Sequence, residues 1–270
     1  MSVQHAFTVD LEEWFHGIEL QQREWPDGTR LHHGLDPLLA LLDRHGVRAT
    51  FFVLGHVALT HPEAVRDLAA AGHEIACHGH VHEFVYKQSP AEFRDDLRRA
   101  KDAIEAASGI VARSYRAPYF SITMESLWAL DVLVEEGFTT DSSIFPVSND
   151  RYGIPDSPME PHQRAAAAGS LLEIPMRPLD LFGRRVPFSG GAYLRILPWW
   201  MQSLAWRIAE RRGTPMIAYI HPWELDPEHP RIPLRRRVAL THYARLNLTE
   251  RRLNRLLGNH QFGRLDELVI

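Results

Sequence analysis

The chain has 270 residues, 45% of them hydrophobic and 24% charged, a composition that allows a large buried core and excludes extensive disorder. A net charge of −4 without a basic run argues against a nucleic-acid partner. The single cysteine excludes an internal disulfide, and no apolar run is long enough to span a membrane. Residues 1–7 lack the charged and apolar regions of a secretory signal, so we expect a cytoplasmic protein.

Strand-like and helix-like segments alternate along the chain. Asp36-Pro37 and Pro62 each predict a helix start, and Ser89 to Glu92 has the pattern of a capping box. The predicted strands lie near residues 4–10, 47–54, 73–77, 113–116, 138–141, 171–175 and 216–220. Strands that alternate with helices pair in parallel through right-handed crossovers. The pattern therefore predicts an α/β fold of about seven parallel strands, a barrel rather than a small open sheet.

Two later stretches interrupt this alternation. Residues 142–170 contain several prolines and an alanine run, which predict a long surface loop. Residues 177–197 are also irregular, with glycines and prolines. We expect a single domain over residues 1–270, with a motif-bearing barrel at 4–225 and a helical extension at 226–270.

Ionisable residues stand at the carboxyl ends of five predicted strands, where parallel barrels gather their catalytic groups. These residues are Asp10, His78, Arg116, Asp141 and His221. A random distribution of charged surface residues would rarely place five ionisable side chains at equivalent positions. The placement predicts an active site at this end of the strands.

The segment from His78 to His82 holds three imidazoles in five residues, and the spacing of His78 and His82 lets both rings reach one metal ion. Hydrogen-bonded loop histidines are the alternative interpretation. A third ligand is needed, and Asp10 and Glu12 face the same side of the first strand. One of these two acids would bind the metal and the other would stay free as a base, unless Glu12 belongs to a solvated acidic edge.

Three further residues allow two interpretations each. Arg116 either orients a carboxylate and lowers its pKa or forms a structural ion pair. Asp141, taken alone, is a turn cap. His221 is a satisfied core histidine or, beside a metal, a general acid. Either Glu173 or Asp180, which follow the sixth strand, could orient the His221 ring.

These segments resemble the motifs of the polysaccharide deacetylase family, also called the NodB-homology or carbohydrate esterase family, over most of residues 4–225. The matching segments are Thr8-Val9-Asp10, which resembles the first motif, His78 to His82, which resembles the histidine motif, Arg116-Ala117-Pro118-Tyr119, which we call the third motif, and Ile220-His221. Three more segments resemble the subgroup found with exosortase (PEP-CTERM) exopolysaccharide loci. They are Asp141 to Pro146, Gly190 to Arg195 and His221 to Glu224.

The resemblance implies a distorted (β/α) barrel, a divalent metal and removal of N-acetyl groups from amino sugars. The metal is expected to be Zn²⁺, with Co²⁺ or Ni²⁺ as alternatives. The family usually has two adjacent aspartates, but Leu11 occupies the second position here. In some relatives the ligand lies two residues after the base, which assigns the base to Asp10 and the metal to Glu12, His78 and His82. If Glu12 points away, Asp10 itself becomes the ligand.

The resemblance also implies that His221 protonates the leaving amine and that Arg116 keeps Asp10 ionised. The residues expected to contact the substrate or its oxyanion are Tyr119, through its backbone N–H, Asp141 and Trp223. For Trp223, packing in the core is the alternative.

The sequence thus predicts a metal-dependent hydrolase whose partner is an N-acetylated oligo- or polysaccharide linked to exopolysaccharide metabolism. A ring-amide hydrolase of the allantoinase kind on the same barrel is one alternative. A decayed carbohydrate-binding protein, favoured by Leu11 alone, is the other. The oligomeric state stays open, a homo-oligomer included.

Overall fold

The computed structural model describes residues 3–18, 28–181 and 183–269. Its strands are β1 (Gln4–Leu11), β2 (Thr50–Val53), β3 (Glu74–Cys77), β4 (Ser114–Tyr115), β5 (Thr140–Asp141), β6 (His162–Ala166), β7 (Gly169–Glu173), β8 (Leu179–Leu181), β9 (Arg184–Val186), β10 (Ile217–Ile220) and β11 (Gln261–Gly263). Its α-helices are α1 (Leu31–Arg44), α2 (Gly55–Thr60), α3 (Pro62–Ala70), α4 (Pro90–Ser108), α5 (Trp128–Glu135), α6 (Gly191–Ile196), α7 (Trp199–Arg211), α8 (Arg236–Tyr243) and α9 (Thr249–Asn259). Among the described helices, none is long and apolar enough to cross a membrane. All seven predicted strands are present, as β1 to β5, β7 and β10.

The chain divides into two compact units, which we call the terminal unit (residues up to 49 with Phe188–Leu268) and the central unit (Thr50–Pro187). In the central unit, β2, β3, β4, β5 and β7 pair in parallel in that order, and β6 pairs antiparallel with β7. The register places Asp141 beside Tyr115 on one side and Glu173 on the other. These polar residues therefore meet at the carboxyl ends of their strands.

In the terminal unit, β1 lies between β10 and β11, and both pairings are parallel. Val9 is opposite Ile220, so the residues that follow, Asp10 and His221, emerge at the same end. The predicted helical extension at 226–270 contains α8 and α9 and also the short strand β11, which pairs with β1. Its three residues, Gln261 to Gly263, are too few to show a strand pattern.

Helix boundaries follow local capping chemistry. The Ser89 capping box is confirmed: its hydroxyl accepts the Glu92 N–H, and α4 ends before Gly109, whose φ of 72° suits glycine. The predicted start at Asp36-Pro37 is wrong, since α1 begins at Leu31 and contains Pro37. The carboxylate of Glu13 accepts the backbone N–H groups of Arg30 and Leu31 at 3.0 Å, and this cap comes from a distant segment.

Residues 142–170 are not one long surface loop. Ser142, Ser143 and Ile144 are fully buried, and residues 162–166 form the edge strand β6. The carboxylate of Glu173 accepts the Ile144 N–H at 3.1 Å, which holds the segment against the end of β7. This long-range hydrogen bond helps to bury residues 142–144, and the proline content of the segment gives no indication of it.

Gly34 in α1 gives a first testable prediction. A Cβ atom at this position would lie 1.9 Å from the Pro222 carbonyl oxygen, so α1 must move for any side chain to fit. We expect Gly34→Ala to lower the free energy of unfolding by about 1–3 kcal/mol in urea titrations. Gly258→Ala in α9 is the control, because its Cβ would make only an ordinary contact with the His45 ring. Equal stability of the two variants would show that α1 does not pack closely on Pro222.

Candidate active site

His78 follows β3 and is oriented for metal binding. Its backbone N–H donates to the Val53 carbonyl at 2.9 Å, which continues the strand pairing. Its Nδ1 lies 2.8 Å from the Arg116 carbonyl oxygen, so Nδ1 carries the ring proton and Nε2 keeps its lone pair. The ring centroids of His78 and His82 are 5.2 Å apart, and both side chains are buried. The predicted pairing of these two imidazoles is present within the central unit.

The turn between the two histidines is fixed by Asp96, which sequence reasoning missed. The Asp96 carboxylate accepts the backbone N–H groups of His80 and Val81 at 2.7 and 3.1 Å. Gly79 has a φ of 76°, and a Cβ there would lie 2.9 Å from the same carboxylate. His80 therefore contributes its backbone to the turn, and the turn determines the spacing of His78 and His82.

Backbone strain concentrates near this pair. Among the described residues, four besides glycine have positive φ angles, and three of them are His82 (53°), Tyr119 (57°) and Phe120 (53°). The rings of His82 and Tyr119 are in contact, with centroids 4.5 Å apart. Such conformations cost about 1–3 kcal/mol each and persist where the surrounding structure imposes them, most often at functional sites.

Arg116 is fully buried and rigidly held. Its guanidinium lies 4.0 Å above the Phe52 ring and donates to the carbonyl and hydroxyl oxygens of Ser142 at 3.3 and 3.2 Å. Asp141 is also fully buried and accepts a hydrogen bond from the Ser143 hydroxyl at 2.5 Å. The predicted substrate contact of Asp141 is therefore replaced by its alternative role, a cap of its own turn.

A second cluster, in the terminal unit, contains the N-terminal acids. Asp10 and Glu12 are both buried and face the same histidine, as their spacing predicted. The Nε2 atom of His221 lies 3.9 Å from an Asp10 oxygen and 3.7 Å from a Glu12 oxygen. We call Asp10, Glu12, His221 and Glu224 the carboxylate–histidine cluster.

Glu224 orients His221. Its carboxylate lies 2.9 Å from Nδ1 of His221 and accepts the His221 backbone N–H at 3.1 Å. The other Glu224 oxygen accepts from Nε of Arg195 at 2.5 Å, and Arg195 also donates to the carbonyls of Thr241 and Ala244. The sequence signal was available: Pro222 starts a helical turn, so the third residue of that turn folds back onto His221.

The prediction that Glu173 or Asp180 orients His221 is wrong. Glu173 accepts the Ile144 N–H instead, and Asp180 accepts the Gly183 N–H at 2.9 Å. Both acids serve turns of the central unit. The partner of the histidine lies three residues after it, not on another strand.

In the carboxylate–histidine cluster, His221 and Glu224 each stabilise the charged form of the other. Burial alone lowers the pKa of His221, but Glu12, Glu224 and Asp10 outweigh it and raise the pKa to about 9. Burial raises the pKa of Glu224, yet Arg195 and His221 lower it to about 2. In the metal-free protein at neutral pH, His221 is thus an imidazolium, with Nε2–H facing the side chains of Asp10 and Glu12.

Trp223 does not match its predicted role. Its indole N–H donates to Glu12 at 3.2 Å, and its ring stacks on His221 and His242 with centroids 5.2 and 4.2 Å apart. Only 8% of the residue is exposed, and it packs with Trp14 and Phe15 in one apolar cluster. The core-packing alternative is therefore the one that the structure supports, and Trp223 steadies the Glu12 carboxylate.

Replacing Glu224 tests this arrangement. We expect Glu224→Gln to lower kcat about 10- to 100-fold without loss of the metal, because the His221 ring loses the charge that fixes its tautomer and position. Turnover and metal content are measured on the same preparation, with circular dichroism as a check of folding. Glu228→Gln, at an exposed position nearby, is the matched control. Unchanged turnover in Glu224→Gln would show that this carboxylate is not needed.

A second group of metal-ligand type lies in the terminal unit. His5, Glu210 and His260 bring ligand atoms within 4.8 Å of one another. The Met216 N–H donates to Nδ1 of His5 at 3.1 Å, so the proton of the neutral ring sits on Nε2, and burial lowers the pKa of His5 to about 4. A protonated Nε2 cannot bind a metal. Nδ1 of His260 is hydrogen-bonded to a Glu210 oxygen at 2.7 Å, and Nε2 of His5 faces the same oxygen at 3.8 Å, so this group is a histidine–glutamate–histidine cluster with one hydrogen bond.

Comparison with known protein families matches two models to successive parts of the chain. Residues 25–134 match the model for polysaccharide deacetylase, which includes His78, His82 and Arg116. Residues 142–270, with His221 and Glu224, match a model described as a domain of unknown function, DUF3473. Asp10 and Glu12 precede both matches.

Two curated relatives carry related names. The chain is 38% identical over 97 residues to a chitooligosaccharide deacetylase from Bradyrhizobium sp. (strain ANU 289), covering 36% of this chain and 42% of the relative. It is 27% identical over 117 residues to a peptidoglycan-N-acetylglucosamine deacetylase from Bacillus cereus, covering 39% and 42%. The chain thus spans less than half the length of either relative.

Solved structures share the fold. One from Mycobacterium smegmatis, whose name refers to polysaccharide deacetylase, has a TM-score of 0.65 at 21% identity and covers 99% of this chain and 90% of its own. A CE4 family pseudoenzyme from Bacillus anthracis has a TM-score of 0.53 at 14% identity, covering 100% and 66%. These likenesses confirm the predicted fold class, α/β with a mainly parallel sheet, as in the distorted (β/α) barrels. Over residues 25–134 the chain is similar to the polysaccharide deacetylase family, as its motifs indicated.

Proposed function

We propose that this protein is a metal-dependent hydrolase that removes N-acetyl groups from the amino sugars of an oligo- or polysaccharide. The observation that carries the proposal is the carboxylate–histidine cluster, in which His221 faces two buried acids and is held from behind by Glu224. The match of residues 25–134 to polysaccharide deacetylases and the names of the relatives support the reaction class.

The proposed metal ligands are Glu12, His78 and His82. All three are buried and together supply one carboxylate and two imidazoles, a donor set that suits Zn²⁺ and also accommodates Co²⁺ or Ni²⁺. The ring proton of His78 is already directed to a carbonyl, so its Nε2 is ready to coordinate. When bound, the cation polarises the acetamide carbonyl and lowers the pKa of water.

The proton transfers belong to the chain's own residues. Asp10 is the proposed general base that takes a proton from the attacking water. His221 donates the Nε2 proton to the amine as the carbon–nitrogen bond breaks, which yields acetate and a free amino sugar. Glu224 holds His221 in the required tautomer throughout.

Two residues of the third motif have supporting roles in this proposal. The buried guanidinium of Arg116 keeps Asp10 ionised and aligned, and its fixed position against Phe52 suits that task. In this proposal the backbone N–H of Tyr119, held at a positive φ angle, donates a hydrogen bond to the negative charge that develops on the acetamide oxygen. Neither residue needs to change its own protonation state.

The substrate class is proposed from the names of the relatives and from the motifs. N-acetylated chitooligosaccharide and peptidoglycan fragments are the first candidates. The segments Asp141 to Pro146, Gly190 to Arg195 and His221 to Glu224 resemble those of proteins from exosortase-type exopolysaccharide loci, and on that resemblance we propose an exopolysaccharide as the natural polymer. The cytoplasmic location stays a prediction.

Acetate release tests the proposal directly. The zinc-loaded protein is incubated with N-acetylated chitooligosaccharides, with peptidoglycan fragments and, separately, with allantoin. Acetate from either saccharide, absent in the Asp10→Asn variant, is the expected result. Opening of allantoin without acetate release would instead establish the ring-amide alternative.

The non-catalytic alternative has its own measurement, because a CE4 family pseudoenzyme shares this fold. Metal analysis of the protein purified without added zinc is expected to give about one ion per chain. A protein that binds chitooligosaccharide, retains no metal and releases no acetate would be a decayed carbohydrate-binding protein.

A further inference from the structure

Two buried acids of the central unit are not used by the proposed reaction. Asp141 and Glu173 are register partners on β5 and β7, and both are fully buried. One oxygen of each, Oδ2 of Asp141 and Oε2 of Glu173, receives no hydrogen bond from an N–H or hydroxyl group of the described residues. As register partners on neighbouring strands, the two residues direct their side chains to the same face of the sheet, so their carboxyl groups lie next to each other. A hydrogen bond between two carboxyl groups requires a proton on one of them.

The groups around the pair determine how firmly that proton is held. Burial raises the pKa of both Asp141 and Glu173, and for Glu173 the charge of its partner adds to the effect. Hydrogen bonds from Ser143 and the Ile144 N–H lower the two pKa values, and so do the charges of Arg116 and Arg164, but these effects are smaller than that of burial. The charged and titratable side chains that face the pair are Tyr115 on β4, Arg116 directly after β4, and His162 and Arg164 on β6.

The pair also holds the segment that carries the third motif. The Ser143 hydroxyl donates to Asp141 at 2.5 Å and accepts the Ala117 N–H at 2.8 Å. At the other end, Glu173 accepts the Ile144 N–H. Residues 142–144 are thereby fixed between the acid pair and Arg116, whose guanidinium donates to Ser142. The geometry of the strained turn at Tyr119 depends on this support.

We propose that Asp141 and Glu173 share one proton at neutral pH and that this proton-sharing pair positions the segment from Arg116 to Tyr119. The catalytic consequence rests on the proposed deacetylase function. The shared proton itself is a property of the folded protein and can be measured without substrate.

Glu173→Gln is the informative variant, because a glutamine amide donates to Asp141 without a titratable proton and still accepts the Ile144 N–H. In an unfolded chain both acids lose their protons near pH 4, whereas the folded pair keeps one. As pH rises above that value, the equilibrium constant for folding therefore falls by up to about tenfold per pH unit. The fall ends once the pH exceeds the raised pKa of the folded pair. Urea unfolding of the metal-free protein from pH 5 to 9 measures this slope.

The slope of the free energy of unfolding against pH gives the number of protons bound on folding, and we expect this number to be larger by about one in the wild type than in Glu173→Gln. Glu105→Gln, at an exposed position of α4, should have the wild-type slope. The infrared spectrum at pH 7 is expected to contain a protonated-carboxyl band that Glu173→Gln lacks. Parallel slopes together with no such band would overturn the shared proton.

Turnover tests the positioning role. We expect Glu173→Ala to lower kcat at least tenfold with KM and metal content little changed, and Glu173→Gln to recover most of that loss. Full kcat in Glu173→Ala would overturn the positioning role. If the wild type releases no acetate, the proposed function fails, while the slopes and the infrared band still decide whether the proton is shared.

Discussion

Replacing His78 with alanine is expected to abolish tight zinc binding and, with it, acetate release. The ring has its proton fixed on Nδ1 by the Arg116 carbonyl, so Nε2 is a prepared ligand that no neighbour can replace. Loss of one of three ligands should weaken zinc affinity by more than about 100-fold, since even the loss of an outer partner costs 10- to 100-fold. Affinity is measured by competition with a chromogenic zinc chelator.

His82→Ala should behave in the same way, and His33→Ala, at an exposed position on α1, is the control. Buried side chains are removed in the first two variants, so the metal-free proteins are compared by urea unfolding to separate lost affinity from lost folding. Wild-type zinc affinity in a folded His78→Ala variant would show that the cation is bound elsewhere.

Asp10→Asn is expected to keep the metal and lose most of its turnover. Asparagine preserves the size of the side chain beside His221 but cannot accept a proton, so kcat should fall about 10²- to 10⁴-fold. Zinc content and kcat are measured on the same sample. Asp36→Asn, in an exposed part of α1, serves as the control.

The companion variant Glu12→Gln should give the opposite pattern, with weaker zinc binding as the primary defect. The Trp223 indole can still donate to the amide oxygen, so the local packing is retained. Loss of zinc in Asp10→Asn with retention in Glu12→Gln would exchange the two assignments and make Asp10 the ligand.

The strands could be predicted because each is a short apolar run that is followed by a polar residue, and these runs alternate with helical segments along the chain. β1, β3 and β10 end next to Asp10, His78 and His221, which is why the candidate site was visible in the sequence. The capping box at Ser89 was equally readable, since its partner lies three residues away. Local patterns of this kind can be recognised in the sequence without knowledge of the tertiary structure.

The errors arise where a distant residue decides the local structure. The start of α1 is set by Glu13, and the burial of Ser142 and Ser143 is set by contacts with Arg116, Ala117 and Asp141. Arg195 lies in the segment Gly190 to Arg195 that the resemblance identified, but no local pattern pairs it with Glu224, which it supports from α6. Long-range hydrogen bonds to buried charged groups leave little trace in periodicity or spacing.

The most direct test of the account is a crystal structure of the zinc-loaded protein, with the metal located by anomalous scattering. We expect one zinc ion bound to Nε2 of His78, to a ring nitrogen of His82 and to the carboxylate of Glu12, with Asp10 unbound next to His221. Zinc at His5, Glu210 and His260 instead, or zinc bound by only one of His78 and His82, would contradict it.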